Sequence, residues 1–374
     1  MRHIYLDFNA STPIDPRVAE AMRAAMDESY GNPSSAHWAG APAKKMVEAS
    51  RQQIATLLGC EPGEIVFTSG GSEANNFALK GACFARRDRP AHIITTQVEH
   101  PSILAPCEFL ERQNTRVTYL PVDGTGLVDP DDVNRAITPD TILISVMHAN
   151  NETGTIQPIE ACARVARMRG VLFHTDAAQS VAKIPTRVDE LGVDLLSIAG
   201  HKIYAPKGIG ALYIRAGTRL EPLIHGAGHE GGRRAGTESA MLAAALGTAC
   251  AVSGNLGSME TVRGLRDQLW ASLRARLGER VVLNGHAERR LPNTLNVAFV
   301  GRTGSDILAA LDGIAASTGS ACHSGRVELS PVLRAMGVPE QVGMGAVRFS
   351  LGRSTTTDEI AEVVERISAF LQRS

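Results

Sequence analysis

Between residues 65 and 214 short apolar stretches alternate with longer stretches of helical spacing, and this rhythm limits the fold more than any other feature. The apolar stretches are 65–68, 92–95, 117–120, 142–146, 171–174, 195–198 and 211–214. Their length and composition are those of strands. Helical patterns fall between them at 73–83, 102–113, 130–136 and 158–169. Strands joined through helices build a mostly parallel sheet, because a parallel partner needs a crossover and the crossover helices then cover both faces. Thirty-six glycines suit the many strand-to-helix turns of such a fold. Ligands on these sheets bind beyond the carboxyl ends of the strands. The polar clusters after Thr68, Thr95, Val146, His174 and Ile198 all fall there.

From about Leu242 the texture changes. A long helical tract runs to Leu277, broken by Gly254 and Gly257, followed by the apolar strand 296–300, a glycine- and serine-rich loop around Cys322 and a last helix over 357–371. This pattern predicts a smaller α+β domain. A length of 374 residues with 44% hydrophobic content supports more than one domain. The net charge of −1 provides no global field for nucleic acid or an anionic membrane. No apolar run approaches the ~20 residues of a membrane span. The start, Met1 to Asp7, lacks the apolar block of a signal peptide. Cys60, Cys83, Cys107, Cys162, Cys250 and Cys322 show neither CxxC pairing nor metal-ligand spacing, which predicts a reduced, cytoplasmic chain without a metal site.

Within that frame Lys202 is the most informative side chain. It follows the strand 195–198 directly, in Ala199-Gly200-His201-Lys202, and the preceding strand ends in His174-Thr175-Asp176-Ala177-Ala178-Gln179. A lysine and an aspartate on neighbouring strand ends suit pyridoxal phosphate: the amine takes the cofactor aldehyde as an imine, and the carboxylate keeps the pyridine nitrogen protonated. Lys183 and Lys207 are rivals, one after a short helix and the other in a turn. In Thr68-Ser69-Gly70-Gly71-Ser72-Glu73-Ala74-Asn75 a strand passes into a helix through small residues, a phosphate cup if backbone N–H groups face the anion. Ser72 with Asn75 reads equally as a helix cap. His100 follows another strand and can stack on a ring or move a proton. Asn150-Asn151-Glu152-Thr153-Gly154 is either a turn or two amides aimed at a ligand oxygen. Asp176 and Gln179, three apart, share a face if the chain turns helically there. The basic, glycine-rich stretch 231–238, which includes Thr237, is a second phosphate contact or a solvated loop with a helix cap.

Cys322 differs from the other cysteines, because small polar residues bracket it in Gly319-Ser320-Ala321-Cys322-His323-Ser324-Gly325. A loop of that composition presents a thiol, and the neighbouring imidazole favours its reactive thiolate. Arg348, in Val347-Arg348-Phe349-Ser350-Leu351-Gly352-Arg353, lies among apolar residues on an expected strand, where its fork fits a substrate carboxylate; Arg353 is the alternative.

Together these motifs resemble the cysteine desulfurases of the fold-type I pyridoxal phosphate enzymes. Tyr5-Leu6-Asp7, Gly31-Asn32-Pro33-Ser34-Ser35-Ala36-His37, Val98-Glu99-His100, Asn150-Asn151-Glu152, Thr175-Asp176-Ala177-Ala178-Gln179 and Gly200-His201-Lys202 carry the resemblance, which covers nearly the whole chain. The stretch 319–322 is similar to the group with the longer active-site loop. The resemblance implies a seven-stranded, mostly parallel sheet in a large domain over 15–250. It implies a small α+β domain from 1–14 and 251–374 that carries the cysteine loop. It implies that Lys202 holds the pyridoxal 5'-phosphate, Asp176 pairs with the pyridine nitrogen, and His100 stacks on the ring. Asn151 and Gln179 meet the phenolic oxygen. Gly71, Ser72 and His201 bind the phosphate, with Thr237 of a second subunit. Arg348 and Asn32 hold the substrate carboxylate, and Cys322 accepts sulfur from L-cysteine as a persulfide. The implied partners are a second copy and a sulfur-acceptor protein, for iron–sulfur cluster assembly or another sulfur pathway, without a membrane or direct nucleic-acid contact. Ala199 departs from the family, which often has serine or threonine there. The stretches 148–154, 236–238 and 321–324 are also similar to selenocysteine lyases, which share the fold and turn selenocysteine into alanine and selenide.

Overall fold

The computed structural model describes residues 3–86, 90–318, 320–323 and 326–372, with 320–323 and 326–327 described by their backbone alone. After a short N-terminal strand, β1 (Ile4–Tyr5), the main sheet is built from β2 (Ile65–Thr68), β3 (Ala91–Thr96), β4 (Thr115–Leu120), β5 (Thr141–Ser145), β6 (Leu172–Asp176), β7 (Leu195–Ala199) and β8 (Gly210–Ile214). Each apolar stretch read from the sequence between 65 and 214 is one of these strands. Their order is β2-β8-β7-β6-β5-β3-β4. From β4 to β7 all neighbours are parallel, and β8 runs antiparallel to both β7 and β2. β2 therefore points the same way as the parallel set.

Every residue of β2, β5, β7 and β8 is buried. That is why these strands read as unbroken apolar runs: both faces are covered. Side chains still alternate between the faces. Val66, Ile93, Leu143, Leu195 and Leu212 pack under the helices Gly71–Phe84 and Pro101–Glu111. Ile65, Ile94, Ile144, Phe173 and Leu196 face the opposite layer, which includes Ile54, Leu58 and Leu246. The helix Ala240–Ser253 is apolar all round because it lies buried against the helices Pro16–Glu28 and Gly40–Leu58. At Gly210 a Cβ would sit 2.4 Å from Ile198 O and 2.7 Å from Gly70 Cα. Only glycine lets β8 begin that close to the loop after β2.

The remaining strands are β9 (Val281–Asn284), β10 (Thr294–Phe299), β11 (Ile314–Ala315), β12 (Ser317–Thr318), β13 (Ser320–His323), β14 (Arg326–Leu329) and β15 (Ala346–Ser350). An antiparallel sheet has the order β12-β15-β10-β9, and β1 pairs in parallel with β11. Ile4 and Leu6 join Leu269, Leu273, Val297, Phe349 and Val364 in a second core. We propose the domain division at 15–250 against 1–14 with 251–374, supported by the separate apolar cores. A smaller cluster of Val98, Met147, Ala298, Leu329 and Leu333 joins the two halves.

The backbone around Cys322 differs from the loop expected of its composition. β13 pairs antiparallel with β14, from Ser320 opposite Leu329 to His323 opposite Arg326. The partner strand, Arg-Val-Glu-Leu, alternates polar and apolar residues, the pattern of a strand with one covered face. Among the described residues no single helix is long and apolar enough to cross a membrane, and no cluster of metal-ligating side chains occurs.

Candidate active site

Five parallel strands deliver their carboxyl ends to one cavity of about 590 Å3. β2 contributes Ser69 to Gly71, β3 the His100 loop, β5 the segment with Asn151, β6 Asp176 and Gln179, and β7 His201 and Lys202. Arg348 reaches it from β15 of the second sheet.

Lys202 Nζ donates to Asn9 O at 2.6 Å and to Ala10 O at 2.8 Å. Burial, and next the nearby Arg348 guanidinium, push its amine down to about 8, against the pull of Asp7 and Asp176. Asp176 is 6% exposed. Its Oδ1 accepts from Ala178 N at 2.9 Å, and its Oδ2 accepts from Asn75 Nδ2 at 2.7 Å. Asn75 also donates to Ser102 Oγ at 2.8 Å, so it ties the helix after β2 to the helix after β3. The cap reading for Ser72 with Asn75 is thereby corrected: the helix starts at Gly71 after Gly70 as N-cap, without a side-chain cap, and Asn75 orients the aspartate.

His100 caps the helix Pro101–Glu111, with Nδ1 accepting from Ser102 N at 3.1 Å. An Nδ1 that accepts leaves the ring proton on Nε2. Burial lowers its pKa, Asp176 raises it and Lys202 lowers it, for a net downward shift. His201 is pushed down to about 4 by burial and by the positive charges around it, Lys202 first. Ala199 lies at the same strand end, and its Cβ would be 3.2 Å from a Cβ at Gly71, so small residues on both sides keep this end of the cavity open.

The two neighbouring asparagines divide their work. Asn150 is buried and builds the turn: its Oδ1 accepts from Glu152 N and Thr153 N, both at 2.9 Å, and its Nδ2 donates to Val98 O at 3.0 Å. Asn151 lines the cavity, while its backbone oxygen accepts from Arg348 Nη1 at 2.9 Å. Arg348 Nη2 donates to Asp7 Oδ1 at 2.7 Å and to Ser317 Oγ at 3.0 Å. Its Nε is buried and has no hydrogen-bond partner among the described residues. Arg353 does other work: it stacks over Tyr204 at 4.3 Å and lies 3.7 Å from Asp15.

Not every expected residue converges. Asn32 is exposed and outside the cavity, where its Oδ1 closes a turn by accepting from Ser34 N at 2.9 Å. Thr237 is exposed and also outside it. The Cys322 side chain lies outside the described residues. Lys207 is exposed at the rim, whereas Lys183 is buried. Sequence reasoning missed Asn9, whose carbonyl holds Lys202 and Gln179, and Asp7, which holds Arg348. Asp7 ends the Tyr5-Leu6-Asp7 motif and Asn9 lies two places beyond it, so closeness to that motif was the available signal.

Comparison with known proteins agrees with this geometry. Residues 4–363 match the family model for aminotransferase class-V. The chain is 48% identical over 373 residues to cysteine desulfurase IscS of Dictyoglomus turgidum, covering 98% of this chain and 94% of that protein. A solved structure of a NifS-like protein superposes with a TM-score of 0.93 at 36% identity, covering all of both chains. A second, described as SspA in complex with cysteine, gives a TM-score of 0.85 at 38% identity over 94% of this chain and all of that one. The chain therefore belongs to the aminotransferase class-V family and, within it, to the cysteine desulfurases.

Proposed function

We propose that this protein is a pyridoxal-phosphate-dependent cysteine desulfurase that converts L-cysteine to L-alanine and leaves the sulfur as a persulfide on Cys322. The observation that carries the reading is the meeting, in one cavity, of a lysine amine lowered to about 8 and an aspartate whose two oxygens are held by Asn75 and Ala178. The donor set fits the cofactor at each end. Lys202 would hold its aldehyde carbon and Asp176 its ring nitrogen, with His100 on the ring face. Asn151 and Gln179 would serve its phenolic oxygen. Gly71 and Ser72, at the start of a 14-residue helix, would serve its phosphate together with His201. Ala199 adds no hydroxyl there. When bound, pyridoxal phosphate accepts the electron pair released as the substrate Cα–H bond breaks.

The remaining chemistry belongs to the chain's own residues. Arg348, which lines the cavity, supplies the fixed positive charge for the substrate carboxylate. Lys202, with an amine near neutrality, takes the Cα proton as general base. The Cys322 thiolate attacks the substrate sulfur. The new S–S bond forms as the substrate Cβ–S bond breaks, and a proton delivered to that carbon completes alanine, so that thiol and cysteine become persulfide and alanine with no external oxidant. The persulfide then passes to a sulfur-acceptor protein, for iron–sulfur cluster assembly or another sulfur pathway. Thr237, exposed on its own subunit, is available to the cavity of a second copy in a cytoplasmic homodimer.

The test is to incubate the yellow holoenzyme with L-cysteine and digest it for mass spectrometry. We expect alanine in solution and one added sulfur on the peptide containing Cys322, both lost in Cys322→Ser while the yellow colour remains. Alanine production without any sulfur on that peptide would overturn the acceptor assignment. Alanine from selenocysteine but not from cysteine would make the protein a selenocysteine lyase.

A further inference from the structure

The chain after β6 turns helically, with Ser180 N and Val181 N both bonded to Ala177 O and Lys183 N to Ser180 O. Ala182 then takes a positive φ of 63°, and the turn brings Lys183 back beside Gln179. Lys183 is buried, and its Nζ donates to Gln179 Oε1 at 3.0 Å. Gln179 Nε2 donates to Asn9 O at 3.0 Å, the same carbonyl that takes Lys202 Nζ at 2.6 Å.

This network has one direction. A carbonyl only accepts, so Asn9 O fixes the nitrogen end of the Gln179 amide, and Lys183 secures the oxygen end. An amide nitrogen carries two hydrogens. One is spent on Asn9, and the second is left for an acceptor in the cavity that Gln179 lines. We propose that Lys183 is a positioning residue, which locks the Gln179 amide so that its nitrogen, and not its oxygen, is offered to a ligand oxygen.

The surroundings of Lys183 support a role beyond filling space. The charges acting on it are Lys202 and Arg348, both of its own sign, and no carboxylate offsets them. Burial and these neighbours push its amine down to about 7. A desolvated amine without an acid partner is destabilising, and an apolar side chain of similar volume would relieve that penalty. Among the described residues, the hydrogen bond to Gln179 is the interaction of the Nζ atom that an apolar side chain would forfeit.

The proposal rests on the pyridoxal phosphate reading, and its test separates the two. Apoprotein is titrated with pyridoxal phosphate, recording the dissociation constant and the visible spectrum of the bound form. Lys183→Met removes the donor while keeping chain length. We expect its dissociation constant to rise about tenfold, the worth of one buried hydrogen bond, with an altered visible spectrum and no loss of thermal stability. Gln179→Met is expected to give the same changes. Because Lys183 acts only through Gln179, the double variant is expected to be no worse than Gln179→Met alone. A Lys183→Met protein with wild-type affinity and spectrum overturns the proposal, and so does an additive double variant, which marks a merely structural residue. Lys183→Leu, which also lacks the donor, reads the same outcomes if the methionine variant does not fold. A wild-type chain that takes up no pyridoxal phosphate overturns the underlying reading and this proposal together.

Discussion

The cavity floor and the hairpin that carries Cys322 are built by opposite means. On the floor, five strand ends of one sheet converge, and side chains far apart in sequence restrain one another: Asn75 holds Asp176, Asn9 holds Lys202 and Gln179, and Lys183 holds Gln179. Among the described residues the hairpin β13–β14 shares no ladder with either large sheet, and its backbone pairs within itself. It is joined to the rest through Leu329, which packs in the cluster with Val98, Met147 and Ala298, and at its two flanks. Ser317 Oγ before it donates to Asp7 Oδ1 at 2.8 Å, and Ser330 Oγ after it donates to Glu152 Oε2 at 2.5 Å. Chemistry that needs fixed orientation sits where many elements over-determine it, while a group that must visit both a cofactor and an acceptor is carried on a separate unit. Arg348 links the two, because its guanidinium touches Asp7, Ser317 and the Asn151 carbonyl at once.

The strongest way to break this comparison is at the floor. Lys202→Ala is expected to abolish alanine formation and the yellow colour, since the proposed cofactor anchor and the proposed base, worth roughly 10²–10⁴-fold, are removed together. Alkylation of Cys322 by iodoacetamide should proceed at the wild-type rate in the same variant. A large change in that rate would show that the hairpin depends on the floor.

Arg348→Lys addresses the link. A point charge replaces a fork, so KM for cysteine is expected to rise roughly 10–100-fold while the cofactor spectrum stays unchanged. If the rate of persulfide formation at saturating cysteine falls as well, substrate binding and hairpin placement are coupled through Asp7 and Ser317.

Ser330→Ala gives the smallest effect. Ser330 caps the helix Pro331–Ala335, accepting from Val332 N at 3.1 Å, and its hydroxyl binds Glu152. Loss of the cap should lower unfolding stability by about 1 kcal/mol. Single-turnover sulfur transfer to Cys322 should slow severalfold, with cofactor affinity intact. Transfer at the wild-type rate would show that this flank does not position the hairpin.

Much of the floor was legible because burial on both faces writes parallel strands as apolar runs and places their polar ends together. Lys202, Asp176, Gln179, His100, His201 and Arg348 all line the cavity as expected. The division between Asn150 and Asn151 was not legible, since adjacent amides are equivalent until the turn assigns one inward to Val98 O. Lys183 stood in the sequence as a rival of Lys202 placed after a short helix, and only the structure shows it buried and bonded to Gln179. Asn32 and Thr237 fall outside the cavity of their own chain, which a linear motif cannot reveal. The hairpin was read as a loop because the small residues around Cys322 outweighed the alternation in 326–329.

Sequence alone determined the alternating layers, the strand ends that meet at the site and the residue types gathered there, because periodicity and strand-end position are local properties. Tertiary structure alone decided which partner each polar group keeps. The bonds from Asn9 to Lys202 and Gln179, and from Asp7 to Arg348, close loops of 170 to 341 residues. No local pattern records contacts over such separations, and it is these contacts that set the direction of the Gln179 amide and hold the Lys202 amine and the Arg348 guanidinium at the cavity.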